Sequence, residues 1–223
     1  MSTKILLGLA ALAVGLSTAF AQVVRTVDIS LQANKLHFLS VPLIPKGGNF
    51  NITNSIVFDP SQDGASLFAW AGAQWSTTVP TWIGDSFGDG WDTSMVISNG
   101  VGFFLASAAN STLTFTGEVP EGAIAYNIPV GLSTLANKIP LSENFPGSTV
   151  GNTGDNLFTW DQAGQKWASV VWLFLGPEVG GSGWDNGGAP GNNTNGPSLN
   201  PGEAVFYVNG GAAIRFVRNF TFL

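Results

Sequence analysis

Eight tryptophans divide the chain into two parts that share one spacing. The first set is Trp70, Trp75, Trp82 and Trp91, and the second set is Trp160, Trp167, Trp172 and Trp184. Corresponding members lie 90 to 93 residues apart, which is the spacing of a duplicated unit with small insertions. A lone active site seldom needs two copies of every block, so duplication favours a packing unit or a surface with two equivalent patches.

Other blocks follow the same correspondence. Val-Pro-Leu at 41–43 matches Ile-Pro-Leu at 139–141, and Leu-Phe-x-Trp at 67–70 matches 157–160. Gly-Trp-Asp occurs at 90–92 and again at 183–185, and the late block 99–105 matches 201–207. The boundary is expected at 117–122, where Pro120 and two glycines interrupt the pattern. We therefore predict a first repeat over residues 22–119, which includes an N-terminal strand at 22–31, and a second repeat over 120–223.

The sequence predicts an all-β fold made of two tandem antiparallel β-sandwich or barrel-like repeats. Apolar and polar residues alternate in short runs, and 29 glycines with 12 prolines leave few windows long enough for a helix. Strands are expected near 36–43, 55–58, 66–70, 74–79, 101–107 and 111–118, with counterparts in the second half. Residues 32–39 are ambiguous between helix and strand.

The first 21 residues have the pattern of a secretory signal peptide. Lys4 precedes an apolar run of 12 residues, and Ala19 and Ala21 fit a small-residue cleavage site. That run is shorter than the roughly 20 residues that a transmembrane helix needs. We expect a secreted protein, extracellular or on the cell surface, without a membrane span.

The small number of charged residues limits the classes of partner that are expected. Only 10% of the residues are charged, against roughly 25% in an ordinary globular domain. Phosphate binding needs clustered lysine and arginine, which are scattered here, so a nucleic-acid partner is not expected. A surface so poor in charge resists self-association weakly, which fits packing against copies of itself or against neutral glycans.

The repeated motifs carry a family resemblance. With Gly131-Leu132-Ser133 and the block Asn-Pro-Gly-Glu-Ala-Val-Phe at 200–206, the duplicated Leu-Phe-x-Trp, Gly-Trp-Asp and Pro-Gly-Glu-x-x-Phe pattern resembles a group of uncharacterised secreted bacterial β-rich proteins. In that group the late block more often reads Gly-Glu-Gly-Phe-Phe. The first half departs from it at Val101 and the second half at Ala204 and Val205. The resemblance implies a β-rich extracellular protein and no catalytic residues.

Enzymatic groups are sparse, and we expect no enzyme and no cofactor. The chain has no cysteine and one histidine, His37, in an apolar stretch that favours a buried structural role. Asp85, Asp89 and Asp92 are weak candidates for calcium ligands, although their spacing misses the EF-hand pattern. The alternative is that these aspartates form turns.

Two sets of residues are candidates for binding. Trp91 with Asp92, and Trp184 with Asp185, lie between glycines and aspartates in expected loops, where an indole ring can stack on a sugar. Asp92 and Asp185 are equally compatible with turn-forming hydrogen bonds. Trp70 and Trp160 lie in apolar strands and are expected in the core.

The alternating N-terminal segment is a candidate assembly strand. Val23, Val27, Ile29 and Leu31 recur at every second or fourth position, and no charged tail precedes them in the mature chain. The alternative is that this strand closes the protein's own sheet. The sequence thus favours a structural subunit of an extracellular filament, surface layer or matrix that assembles through β surfaces. A glycan-binding or adhesive module that uses loop tryptophans remains the alternative.

Overall fold

The computed structural model describes residues 23–72, 74–84, 89–179, 181–187 and 195–221, without the side chains of Thr53 and Asn54. The expected signal peptide, the weak calcium candidate Asp85 and the last residues 222–223 lie outside the described residues.

The all-β prediction is confirmed, because strands make up about half of the chain and every sheet is antiparallel. No sheet formed by the described residues closes into a barrel. The strands of the first half are β1 (Val24–Leu31), β2 (Lys35–Ser40), β3 (Ser66–Ala69), β4 (Trp82–Ile83), β5 (Gly90–Trp91), β6 (Gly102–Ser107) and β7 (Ser111–Glu118). Those of the second half are β8 (Gly122–Ile128), β9 (Gly131–Ala136), β10 (Glu143–Asn144), β11 (Asn156–Asp161), β12 (Lys166–Leu175), β13 (Gly183–Asp185), β14 (Ser198–Leu199), β15 (Ala204–Asn209) and β16 (Ile214–Phe220). One α-helix, Ile52–Ser55, and 3-10 turns at Lys46–Gly48, Pro60–Gln62 and Pro177–Val179 complete the described elements.

Strand pairing follows the same order in both halves. In the first half β1 pairs with β7, and β6 lies between β2 and β3. In the second half β8 pairs with β16, and β15 lies between β9 and β11. The second sheet continues through β12 to β13, whereas the first sheet ends at β3.

Glycines with positive φ occupy matching turns. Gly64 and Gly154 precede the third long strand of each half at φ 84° and 91°. Gly100 and Gly202 precede the penultimate strand at φ 83° and 85°. A side chain with a Cβ is disfavoured in this left-handed region, so the glycines set the direction in which the chain enters each strand.

Each half has its own apolar core. The buried residues of the first core lie between Leu31 and Val119, and those of the second lie between Ile124 and Tyr207. In β7 the pattern alternates strictly, with Leu113 and Phe115 buried between exposed threonines. Burial of one strand face in this way is what the alternating sequence predicts.

A third apolar cluster joins the halves face to face. Phe38 on β2 stacks on Phe104 of β6 at 4.6 Å between ring centroids and on Phe206 of β15 at 5.2 Å. The surrounding side chains come from both sheets and include Trp70 and Trp160. The two sheets therefore share one layer of aromatic rings.

Hydrogen bonds cross this layer in reciprocal pairs. Trp70 Nε1 donates to the Leu132 carbonyl and Trp160 Nε1 donates to the Leu36 carbonyl, both at 3.1 Å. The backbone repeats the exchange, because the Ser40 amide donates to the Gly202 carbonyl at 2.7 Å and the Ala136 amide donates to the Gly100 carbonyl at 3.1 Å. Each half therefore donates to the other the same kinds of hydrogen bond that it accepts, as expected for an approximate twofold arrangement.

Two expected strands of the first half are absent. Residues 55–58 follow a helical turn, in which the Ile56 amide donates to the Ile52 carbonyl. Residues 74–79 form an isolated bridge between Trp75 and Trp70, with the Ser76 amide donating to the Ala69 carbonyl at 2.8 Å. Beyond it the Thr78 amide donates to the Ser76 hydroxyl, a local bond that competes with strand pairing. The ambiguous segment 32–39 contains most of strand β2.

Candidate functional site

The two tryptophans expected in binding loops lie in short strands. Trp184 in β13 is fully buried, and its ring packs at 5.2 Å from Phe174 and 5.6 Å from Tyr207. Trp91 in β5 is half-buried on the first core, and its Nε1 donates to the Ile56 carbonyl at 2.8 Å. The buried ring of Trp184 has no face for a sugar, so the expected pair of equivalent loop platforms is not formed.

The aspartates that follow these two tryptophans accept hydrogen bonds from backbone amides. Asp92 accepts from the Thr81 amide at 2.9 Å, and Asp185 accepts from the Gly187 amide at 3.0 Å. Among the described residues no cluster of three or more acidic or histidine side chains could hold a metal ion. Asp89 is exposed. Asp185 bonds within its own turn, whereas Asp92 bonds to a segment 11 residues earlier in the chain.

His37 lies buried in β2, as its apolar neighbours suggested. Its Nε2 accepts from the Gln32 amide at 3.1 Å. Burial lowers the pKa of His37, with the contact to the Gln32 backbone as an opposing cause. The ring is therefore neutral at neutral pH and serves to hold the turn between β1 and β2.

The expected assembly strand pairs within its own half. All eight residues of β1 oppose residues of β7, from Val24 opposite Glu118 to Leu31 opposite Ser111. Leu31 is buried in the first core, and Val23, Val27 and Ile29 pack against it. These four side chains thus stabilise the first half, which matches the alternative interpretation of this segment.

An exposed apolar surface, which we call the aromatic face, lies where the two sheets meet. Trp75 and Trp167 are each 39% exposed and flank Phe206, at 5.9 and 5.1 Å between ring centroids. Residues directly opposed in a sheet share a face, and Val171 lies opposite Phe158, which lies opposite Phe206. Val171 and Leu173 extend the same face along β12 and are 40% and 38% exposed.

Two grooves open on the aromatic face, on either side of the exposed indoles. The described residues that line a groove of about 400 Å³ are Trp70, Trp75, Leu132, Phe158, Trp167, Phe206 and Val208. Those that line a second groove of about 350 Å³ are Leu36, Phe68, Trp75, Phe104, Trp160 and Trp167. All of these side chains are apolar or aromatic, and the indole donors of Trp70 and Trp160 are already bonded to carbonyls across the halves.

Beside this face, β12 has an open edge. Strand β13 pairs with β12 only at Leu173, Phe174 and Leu175. Within the described part of the chain, no strand pairs with residues 166–172 on that side. Unpaired edges of this length accept another strand readily, and Lys166 is the only charged residue along it.

The sequence did not single out Trp75 and Trp167 from the other tryptophans. Their exposure depends on how the two sheets dock, which no local pattern encodes.

Comparison with family models, with curated proteins and with solved structures gives no match for this chain. None of the helices in the described part of the chain has the length and apolar character to cross a bilayer. A function for the protein therefore has to be inferred from the geometry of the described residues.

Proposed function

We propose that this protein is a structural subunit that assembles with copies of itself outside the cell. The observation that carries the proposal is the aromatic face, where Trp75 and Trp167 line the same two grooves. Val171 and Leu173 continue this face along β12, and all four side chains remain partly exposed. Contiguous exposed apolar surface on a soluble protein marks an interaction site, because its burial against a partner is favourable by about 25 cal/mol for each Å² removed from water.

Three properties favour a second copy as the partner. The grooves offer no free indole donor at Trp70 or Trp160, so polar ligands gain little there. The described residues that line the two grooves include no charged side chain, so repulsion between two copies of the aromatic face is weak. The open edge of β12 can pair with its equivalent in a second molecule in antiparallel register, which places Lys166 away from the Lys166 of the other copy.

The sequence and the fold also support two further parts of the proposal. The N-terminal pattern of the chain supports export, and the small number of charged residues suits a packed extracellular layer or filament. The common pairing order and matching glycine turns support the idea that the halves are copies of one building block, 22–119 and 120–223.

The assembly is tested by raising protein concentration while following light scattering and negative-stain electron microscopy. Val171→Lys places a charge on the aromatic face and is expected to raise the concentration needed for assembly at least tenfold, since each tenfold change corresponds to about 1.4 kcal/mol. Val130→Lys adds the same charge at another exposed valine, in the turn between β8 and β9, and is expected to assemble as the wild type does.

A third variant, Val24→Lys, probes the first strand, whose Val24 side chain is exposed. Normal assembly of this variant is expected if β1 serves only its own half. A wild-type protein that stays monomeric at high concentration contradicts the proposal. Equal assembly of Val171→Lys and Val130→Lys removes the aromatic face from the interface.

A further inference from the structure

The two grooves of the aromatic face match each other residue by residue. Every described residue that lines the smaller groove has its counterpart from the other half in the lining of the larger groove. These counterparts are Leu36 and Leu132, Phe68 and Phe158, Trp70 and Trp160, Trp75 and Trp167, and Phe104 and Phe206. Ring spacing agrees as well, because Trp70 lies 5.3 Å from Trp75 between centroids and the corresponding indoles of the second half lie 5.1 Å apart. An approximate twofold axis therefore relates one groove to the other, and each groove takes its walls from both halves.

The exposed indoles project between the grooves, on either side of two buried rings. Trp75 lies 5.6 Å from Phe104 and 5.9 Å from Phe206 between ring centroids. Trp167 lies 5.9 and 5.1 Å from the same two rings. Both phenylalanines are buried, whereas each indole keeps 39% of its surface exposed. Since both indoles line both grooves, indoles and grooves alternate around the approximate twofold axis.

A second copy of this chain presents what this alternation requires of a partner. A partner with one apolar segment fills one groove and leaves its equivalent in water, whereas a partner with its own twofold pair of apolar side chains fills both. A second copy that faces the first, turned by a quarter revolution about the axis, brings its two indoles opposite the two grooves of the first. The grooves of the second copy then receive the indoles of the first. The aromatic face is in this way complementary to itself.

We infer that the aromatic face joins two copies into a closed dimer, in which Trp75 and Trp167 of each copy enter the two grooves of the other. The inference rests on the proposed self-assembly and names its first step. Both copies use the same surface in such a contact, so the dimer leaves no aromatic face for a third copy. The dimer still carries the open edge of β12 twice, once on each copy, and dimers can be linked in a row through these edges.

The test is sedimentation velocity of the full chain over a wide range of concentration. We expect a monomer–dimer equilibrium below the concentration at which larger assemblies form. Trp75→Ala and Trp167→Ala are each expected to raise the Kd of the dimer at least tenfold and by similar factors, because each substitution removes its contact twice from a twofold dimer. Ile83→Ala shortens an apolar side chain that is also 39% exposed but lines neither groove, and this variant is expected to dimerise as the wild type does.

Val208→Trp tests the same contact while both exposed indoles are kept. Val208 lines the larger groove, and a ring in its place fills the space that an indole of the second copy would enter. The Kd of the dimer is expected to rise at least tenfold. Circular dichroism and the Tm of each variant show that the fold is retained. Dimerisation of Val208→Trp at the wild-type concentration overturns the inference.

The remaining outcomes separate this inference from the proposed assembly. A wild-type protein that is monomeric at every concentration contradicts both. Assembly that passes from monomers directly to larger species, with no dimer, overturns the closed dimer and leaves self-assembly in place. A Kd that rises in only one of the two tryptophan variants also overturns it, because a contact between two approximately twofold faces uses both indoles alike.

Discussion

At the scale of single residues, burial of His37 makes folding stability depend on pH. The pKa of His37 is lowered in the folded protein from its ordinary 6.5, so the unfolded chain binds a proton at a higher pH than the folded one. Stability is therefore fully present above about pH 6.5 and decreases as pH falls through the interval down to the folded-state pKa. Urea unfolding from pH 8 to pH 5 is expected to show this decrease in the wild type and a smaller one in His37→Gln. Equal pH dependence of both proteins would contradict it.

Tyr207 gives a second prediction at this scale. Its hydroxyl donates to buried Asp155 at 2.6 Å, and burial, followed by Asp155 itself, raises the pKa of Tyr207 well above its ordinary value. Tyr207→Phe removes a donor from a carboxylate and is expected to lower the free energy of unfolding by about 1.5–3 kcal/mol. Tyr126→Phe is the comparison. The Tyr126 hydroxyl donates to the amide oxygen of Asn137 and accepts from the Lys138 amide, and neither bond involves a charged group, so its loss is expected to be smaller. Denaturant unfolding of the two variants measures the difference, and the reverse order would refute it.

At the scale of elements, strands β12 and β13 give two tryptophans opposite environments. Trp184 is fully buried in the second core, whereas Trp167 keeps 39% of its surface exposed. Trp184→Ala is expected to lower the free energy of unfolding by about 3–5 kcal/mol, since a large cavity replaces the ring. Trp167→Ala is expected to cost clearly less, and its main effect falls on assembly. Chemical denaturation compares the two, and similar losses would show that Trp167 is a core residue.

Individual strands show how much of the fold the sequence predicts. Strands β1 and β7 were predicted closely, because one face of each is buried and the alternation of apolar residues is a local signal. The glycine and the aspartate that flank Trp184 predict a loop, but pairing of β13 with β12 brings this ring into the core. Trp75 and Trp167 were not separated from the other indoles, because their exposure is decided by the docking of two sheets.

At the scale of the whole molecule, the shared aromatic layer predicts that the halves unfold together. The buried Phe38, Phe104 and Phe206 belong to both sheets at once, so neither half can open without exposing them. Scanning calorimetry of the wild type is expected to give one transition with equal calorimetric and van't Hoff enthalpies. The double variant Trp70→Phe and Trp160→Phe removes both indole bonds between the halves, at about 1 kcal/mol each, and is expected to broaden or divide the transition.

Trp91→Phe is the control for this experiment. It also removes an indole hydrogen bond, but the acceptor, the Ile56 carbonyl, lies in the same half. We expect a lower Tm with a single sharp transition. Two transitions in the wild type would show that the aromatic layer does not couple the halves.

The hydrogen bonds between the halves do not require that both halves belong to the same chain. The bond from Trp70 to the Leu132 carbonyl forms equally well when the two residues belong to different chains, provided that the connection between β7 and β8 opens. Only residues 119–121 separate these strands, and short connections favour exchange of whole units between neighbours. Refolding at high concentration should therefore yield interlocked dimers and longer strings, which size-exclusion chromatography would resolve from material refolded when dilute. The contact that joins the two halves of one molecule could then also join a half of one molecule to a half of the next.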